Sequence, residues 1–468
     1  MTATKPPAPT APPAPSPAAR RRIRGWIAFD WASQPFYTLC LTFVFGPYFA
    51  ATVAGALMGQ GLGEEAADAR AQALWSWTQV GIGVAIGLTA PVMGALADRS
   101  GRRMGWVRVF SIFYVAGTLG LWTMAPDASG TTLALVAFAV AMIGAEYTTI
   151  FTNAMLPGLA PRTTVGRVSG TAYAVGYAGG VAALAIFLLL FADDPDGRTL
   201  LGGAPAFGLD GAAREGTRFV GPFTALWFAL FMVPFFLWVR EPRVAGRVVS
   251  LGGALGDVRA LLREVPGRPS LLAWLAGSML YRDALVALYA FGGTYAALVL
   301  NWQTTQIGVF GIVGAVTAAG ASWIGGRLDD RRGPKPVIVA CVVVLTAVVV
   351  VLALTSRDMI LGIPLAPGSP APDIALYVVG AVIGGAGGVL SAASRTMMVR
   401  HAEPERATEA FGLYALSGKA TAFLAPLAIG LATQATGSAR LGIIPVAALF
   451  LAGLVLLRWV DPDGDRPA

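Results

Sequence analysis

The sequence predicts an all-α membrane protein of about twelve spanning helices arranged as two six-helix bundles. Three observations carry that prediction. Of 468 residues 56% are hydrophobic and 13% charged, with a mean hydropathy of +0.65, which leaves too little polar surface to coat a soluble globule of this size. Apolar runs recur along the whole chain at the length a bilayer demands, since a hydrocarbon core of about 30 Å takes roughly 20 apolar residues per helix. A charged decamer is written twice, once in each half.

The runs lie at 25–53, 73–97, 105–125, 131–157, 167–191, 219–239, 270–299, 304–327, 336–355, 373–400, 408–433 and 438–460. They are continuously apolar, so helices are expected rather than the alternating strands of a barrel. Residues 1–24, rich in Pro and Ala, read as a disordered cytoplasmic tail without the short apolar core and cleavage site of a signal peptide. Residues 25–239 form the first bundle, 240–268 a cytoplasmic linker, 269–460 the second bundle and 461–468 a cytoplasmic tail.

Arginines fix the expected orientation. Arg20, Arg21, Arg22 and Arg24 precede the first run, Arg99, Arg102, Arg103 and Arg108 follow the second, and Arg162 and Arg167 follow the fourth. Arg240, Arg243, Arg247, Arg259, Arg263 and Arg268 follow the sixth, and Arg327, Arg331, Arg332 and Lys335 the eighth. Connections on the other side are acidic or neutral, as in "GEEAAD" at 63–68 and "DDPDG" at 193–197. Both termini are therefore expected in the cytoplasm. The net charge of +8 is a topological signal and points to no nucleic acid, which would need a soluble basic domain.

The decamers are "GALADRSGRR" at 94–103 and "GRLDDRRGPK" at 326–335. They pair Gly94 with Gly326, Asp98 with Asp330, Arg99 with Arg331, Gly101 with Gly333 and Arg103 with Lys335, and each closes an even-numbered run. Glycine permits close helix approach and a tight turn. An Asp at a helix C-terminus opposes the helix dipole and calls for a cation or a helix N-terminus as partner. A second repeat pairs "GRVSGTAYAVGYAGG" at 166–180 with "ATEAFGLYALSGKAT" at 407–421, matching Gly170 with Gly412 and Gly176 with Gly418.

The pattern G-x-L-x-D-R-x-G-x-[RK] in both halves resembles the signature loop of the major facilitator superfamily, which implies the major facilitator fold and alternating access by rocking of two bundles. Finer likeness lies in "WIAFDWASQPFYTLCLTFVFGPYF" (26–49), "TNAMLPGLAPRTTVGRVSGTAYAVGYAGG" (152–180), "LYRDALVALYAFGGTYAA" (280–297) and "GGVLSAASRTMMVRHAEPERATEAFGLYALSGKATAFLAPL" (387–427). These stretches resemble the vacuole effluxer family, which joins fungal autophagy-related vacuolar amino-acid exporters to a bacterial branch of unknown major facilitators. Ser33, Gln34 and Pro35 stand where members carry Asn, Ser and Ala, so the cavity lining departs from the family there. The resemblance implies transport of small amino-acid-like solutes and a cavity lined by helices one, four, seven and ten.

Charges inside the membrane are costly and mark function. Six qualify: Asp30, Glu146, Arg282, Asp283, Arg395 and Lys419. Asp30 is a gate, an ion pair or a binding group. Glu146 is the expected carboxylate for a proton or a substrate amine. Arg282 and Asp283 are about 100° apart around a helix, so only one can face the cavity. Arg395 should pair with a carboxylate or hold a substrate anion, and Lys419 should serve mainly as a structural partner. Gln34, Tyr37, Tyr147, Asn153, Tyr281, Tyr289 and Ser394 fall nearby at helical spacings, and Pro35, Pro157 and Pro426 are expected to kink their helices.

The expected function is proton-coupled secondary transport of a small polar or zwitterionic solute by a monomer, with a drug or metabolite exporter as the alternative. A P-loop is absent, which disfavours ATP-driven pumping. A lone His401 and the absence of a nucleophile–base set argue against an enzyme, a metal site or any cofactor. A membrane sensor would need an appended signalling domain. Cys40 and Cys341 both fall in spanning runs and are expected to remain unpaired.

Overall fold

The computed structural model describes residues 16–194, 196–241, 248–438 and 440–465. Among them twelve helices are long and apolar enough to span a membrane. They are α1 (Pro17–Gly59), α2 (Glu64–Ser100), α3 (Arg103–Thr123), α4 (Thr131–Gly158), α5 (Val165–Leu190) and α6 (Glu215–Trp238), then α7 (Pro269–Leu300), α8 (Gln306–Arg332), α9 (Pro334–Ala353), α10 (Ala371–His401), α11 (Pro404–Thr436) and α12 (Leu441–Trp459). Each coincides with one of the apolar runs, and the first six and last six form the two bundles of a major facilitator fold. The end of the molecule carrying both termini is called the terminal face below.

The main correction concerns the first tail. Helix α1 begins at Pro17, with the Ser16 hydroxyl accepting from the Ala19 N–H at 3.2 Å, so Arg20 to Arg24 lie in its opening turns. Proline needs no N–H in the first turn, and a serine cap satisfies an orphan donor there. Residues 1–15, Arg243, Arg247 and 466–468 lie outside the described residues. The start of the second tail is held rather than free: the Asp465 carboxylate accepts from the N–H groups of Ser270 (2.7 Å) and Leu271 (2.9 Å), capping α7.

Two of the three expected prolines, Pro35 and Pro426, stand at interruptions within their helices, and Pro157 stands at a helix end. Pro35 removes a backbone donor, and the ladder after it runs as a π-helix over Phe36–Phe43 before α-helix resumes at Phe45. Helix α11 is broken between Ala420 and Leu424, with Pro426 in the first turn of its second piece. Pro157 lies in the closing 3₁₀ turn of α4.

Two seams join the bundles, α2 against α11 and α5 against α8. Both rest on glycine. A Cβ on Gly94 would meet the Thr408 carbonyl oxygen at 2.5 Å, and one on Gly412 would meet that of Ala90 at 2.5 Å. At the other seam a Cβ on Gly326 would meet the Gly166 oxygen at 2.6 Å, and one on Gly170 that of Ser322 at 2.4 Å. The two seams are one contact written twice, since the repeats match Gly94 with Gly326, Ala90 with Ser322, Gly166 with Thr408 and Gly170 with Gly412. Small residues let backbones approach this closely, which is the main source of helix association where solvent is already apolar.

Candidate functional site

The seams close the terminal face. The first motif does so with its Asp: Asp98 accepts from Arg103 Nη2 (2.8 Å), from the Thr408 hydroxyl (2.6 Å) and from the Glu409 N–H at the start of α11 (2.9 Å). It thus finds both partners that its position demands, a cation and a helix N-terminus. Arg103 also donates to the Pro404 carbonyl (2.9 Å) across the seam and lies 3.9 Å from Glu241. Burial raises the Glu241 carboxyl above its usual pKa, an effect that the Met104 N–H and Arg103 partly offset.

The second motif repeats this with substitutions. Asp330 accepts from the Arg167 N–H (3.0 Å) and Nε (3.2 Å) at the start of α5. Its cation therefore comes from the other bundle, while Lys335 donates to the Val460 carbonyl (2.7 Å) and Arg331 stays exposed. The shared Gly positions differ as well: Gly101 (φ +61°) caps α2 in the left-handed region, whereas Gly333 (φ +80°, ψ 162°) takes another positive-φ conformation that favours glycine and leads directly into α9. Arg99 turns outward to Asp257 of the linker, at 2.7 Å.

Removing the Asp98 charge should loosen this seal. Asp98→Asn keeps a shape that can accept one bond but weakens the charge-assisted contacts to Arg103 and the α11 N-terminus. We expect about a tenfold shift toward the form open at the terminal face, read from the labelling rate of single cysteines placed along α2 and α11. Wild-type labelling together with wild-type transport would refute this role.

Deeper in, a buried guanidinium bridges the bundles. Arg395 of α10 is 4% exposed, and every partner it has here belongs to the first bundle. Its Nη1 donates to Asp30 (3.0 Å) and to the Asn153 side-chain oxygen (3.2 Å), its Nε to the Ser169 hydroxyl (2.9 Å) and its Nη2 to the Ser169 carbonyl (2.8 Å). The rings of Tyr173 and Trp26 lie 4.4 and 4.8 Å from its carbon. Four of the five N–H donors of this fork are thus engaged with the first bundle, so in this state Arg395 ties the bundles together.

About two turns further from the terminal face, at mid-span, Lys419 of α11 donates to Glu146 of α4 at 3.3 Å. Their side chains are 28% and 18% exposed, so this second pair between bundles is wetter than the Arg395 pair. Arg282 sits at the same depth. Its guanidinium lies 4.1 Å from the Tyr414 ring, donates to the Tyr414 carbonyl (3.0 Å) and packs under Gly418. Its neighbour Asp283 turns the other way, is buried, and accepts from the Ala425 N–H (3.1 Å), capping the second piece of α11. Arg282 thus packs on the first piece of α11 and lies near Tyr173 of the first bundle, whereas Asp283 caps the second piece.

Other expected site residues divide. Tyr37 lies beside Thr149, Glu146, Tyr173 and Asp30. Gln34 packs on Gly180 of α5. Tyr147 leaves the site, because it is one residue on from Glu146: its hydroxyl bonds Thr89 of α2 and its ring stacks on Phe110 at 4.6 Å. Tyr281 is fully buried against Ser394 (2.8 Å), and Tyr289 meets Tyr177 across the bundles. His401 bonds Ser270 (2.8 Å) and is structural. Among the described residues no group of three or more His, Cys, Asp or Glu could hold a metal ion. Cys40 and Cys341 are unpaired and buried.

The sequence profile of the family described as "Vacuole effluxer Atg22 like" matches residues 77–467. The chain belongs to this family. A relative, the uncharacterized MFS-type transporter YxiO of Bacillus subtilis, is 22% identical over 456 residues that cover 95% of each chain. Autophagy-related protein 22 of Cryptococcus neoformans is 25% identical over 318 residues, 65% of this chain and 52% of its own length. Solved structures share the fold: the human organic anion transporter MFSD10 (TM-score 0.65, 13% identity, 94% and 100% of the two chains) and FucP in the outward conformation (0.65, 13%, 94% and 99%). This Atg22-like chain is therefore a multi-pass transporter of the major facilitator superfamily and not an enzyme.

Site residues invisible to charge counting are Trp26, Ser169, Tyr173, Thr408 and Tyr414. Tyr173 and Tyr177 stand four apart inside the second repeat, so the repeat itself signalled a face of α5 turned to the partner bundle. Ser169 and Thr408 lie in the same repeat, but a hydroxyl in a small-residue stretch reads as packing.

Proposed function

We propose that this chain moves a small zwitterionic, amino-acid-like solute by alternating access coupled to protons, with its terminal face in the cytoplasm of a bacterial inner membrane and residues 25–239 and 269–460 as the rocking units. The observation that carries the reading is the mid-span layer, where Glu146 and Lys419 meet at 3.3 Å while remaining partly exposed and Arg282 offers a guanidinium that, among the described residues, donates to a single carbonyl and packs on the Tyr414 ring. A substrate bearing an ammonium and a carboxylate complements such a layer: the ammonium competes with Lys419 for Glu146, and the carboxylate takes the remaining donors of Arg282. Protonation of Glu146 frees Lys419 and breaks a tie between the bundles, which links a proton to the conformational change. The arginine-rich connections on the terminal face support the cytoplasmic assignment.

The test is flux. Protein reconstituted in liposomes should exchange labelled neutral amino acids against unlabelled ones, and a pH difference of one polarity should drive their accumulation. The matching amino-acid amides, which lack the carboxylate, should compete at least about tenfold less well. Equal competition by amides would remove Arg282 as the anion site, and absence of any pH-driven flux would remove the proton.

A further inference from the structure

Between the bundles the chain forms a short amphipathic helix, Leu251–Glu264, capped by the Ser250 hydroxyl accepting from the Gly253 N–H at 3.2 Å. Ala254 and Leu261 are buried against the bundles, and both acidic residues are committed: Asp257 to Arg99 (2.7 Å) and Glu264 to Arg406 (2.9 Å). A second stripe is not covered. Leu251, Leu255, Val258 and Leu262 fall within about 60° of arc at 100° per residue, and the three leucines are 61%, 50% and 51% exposed. Arg259 and Arg263 lie along one edge of the stripe, exposed.

The place of this helix identifies what the stripe meets. Arg99, which holds it through Asp257 and the Val248 carbonyl (3.1 Å), shares a face of α2 with Val84 and Leu88, two residues 55% and 69% exposed. The glycines of the α2–α11 seam, Gly87 and Gly94, point away from that face. The linker helix thus lies at the terminal end of α2, below its exposed stripe, with Ala260 and Leu261 turned to the ends of α7 and α11 and the leucine stripe left outside those contacts, at the level where a spanning helix leaves the acyl layer. An apolar stripe bordered by arginines at that depth fits a helix lying in the membrane plane, and its spare positive charge selects anionic lipid.

We propose that the linker helix docks on an anionic phospholipid surface, burying Leu251, Leu255 and Leu262 among acyl chains with Arg259 and Arg263 on the headgroups. The probe is a bimane label on Leu255→Cys, with Gly256→Cys as control, since a side chain at Gly256 projects into open space on the polar side. Both native cysteines are buried and stay unlabelled. One protomer is placed in each nanodisc of phosphatidylcholine, with or without phosphatidylglycerol, the acyl chains brominated.

Bromine should quench the Leu255→Cys label about twofold or more over the control, more strongly with phosphatidylglycerol. Arg259→Gln combined with Arg263→Gln should abolish the preference for phosphatidylglycerol and leave the labelled position otherwise folded. Equal quenching at the two positions would overturn the proposal. So would a buried-type emission that bromine does not quench, which would show protein, such as a second copy, on the stripe. Quenching that ignores headgroup charge would overturn the anionic selectivity.

Discussion

Arg395→Met should release the terminal face. The guanidinium is 4% exposed and makes four hydrogen bonds, all into the first bundle, and its loss leaves Asp30 without its cation. Stripping one partner from a buried pair costs roughly 3 to 5 kcal/mol. Because the pair joins two bundles that move apart during transport, much of that cost falls on the closed arrangement and not on folding. We expect a population shift of about a hundredfold or more toward the form open at the terminal face, measured as distances between spin labels at the terminal ends of α2 and α11. Arg395→Lys should lie between: the charge remains, but an ammonium cannot reach Asp30, Asn153 and both oxygens of Ser169 together. A loss of thermal stability without any change in these distances would make Arg395 a strut inside one state only. Unchanged distances and unchanged stability would dismiss the bridge altogether.

What the sequence revealed, and what it hid, follows from the same physics. Bilayer thickness fixes helix length, so twelve spans were legible from apolar runs, and repeated motifs marked the seams because close helix approach is written in glycine. The cost of charge in lipid picked out Asp30, Glu146, Arg282, Asp283, Arg395 and Lys419, and four of the six pair across the bundles, Asp30 with Arg395 and Glu146 with Lys419. Asp283 shows the limit: a broken helix also needs a carboxylate, to cap the N–H of Ala425, and the break in α11 lies 142 residues away in sequence. Pairing was equally hidden. Nothing local joins Asp30 to Arg395 across 365 residues, or tells that Asp330 draws its cation from Arg167 and not from Lys335 in its own motif. The start of α1 was missed for another reason: four arginines and many prolines read as a solvated tail, although arginine is a good helix former once Ser16 and Pro17 set the first turn.

Glu146→Gln should separate coupling from exchange. Glutamine keeps the size of the side chain and an acceptor oxygen for Lys419, but it can neither bind nor release a proton. Counterflow, in which labelled and unlabelled solute trade places, needs no net change of protonation and should persist within about threefold of the wild type, allowing for a weaker neutral bond to Lys419. Accumulation driven by a pH difference should disappear. The reciprocal variant Lys419→Gln strands a partly exposed carboxylate, which water can solvate, so it should couple poorly without losing stability on the scale of Arg395→Met. Exchanging the two charges, Glu146→Lys with Lys419→Glu, restores the tie between bundles and moves the titrating group from α4 to α11. If the proton acts by breaking that tie, the exchanged protein should recover part of its pH-driven accumulation, whereas each single charge reversal, with two like charges facing at this depth, should recover none. If Glu146 instead acts by holding the substrate ammonium, the exchanged protein stays inactive while Glu146→Gln loses counterflow as well as accumulation. An accumulation profile in Glu146→Gln that follows pH as the wild type does would remove this residue from coupling and leave Asp30, beside Arg395, as the carboxylate to examine.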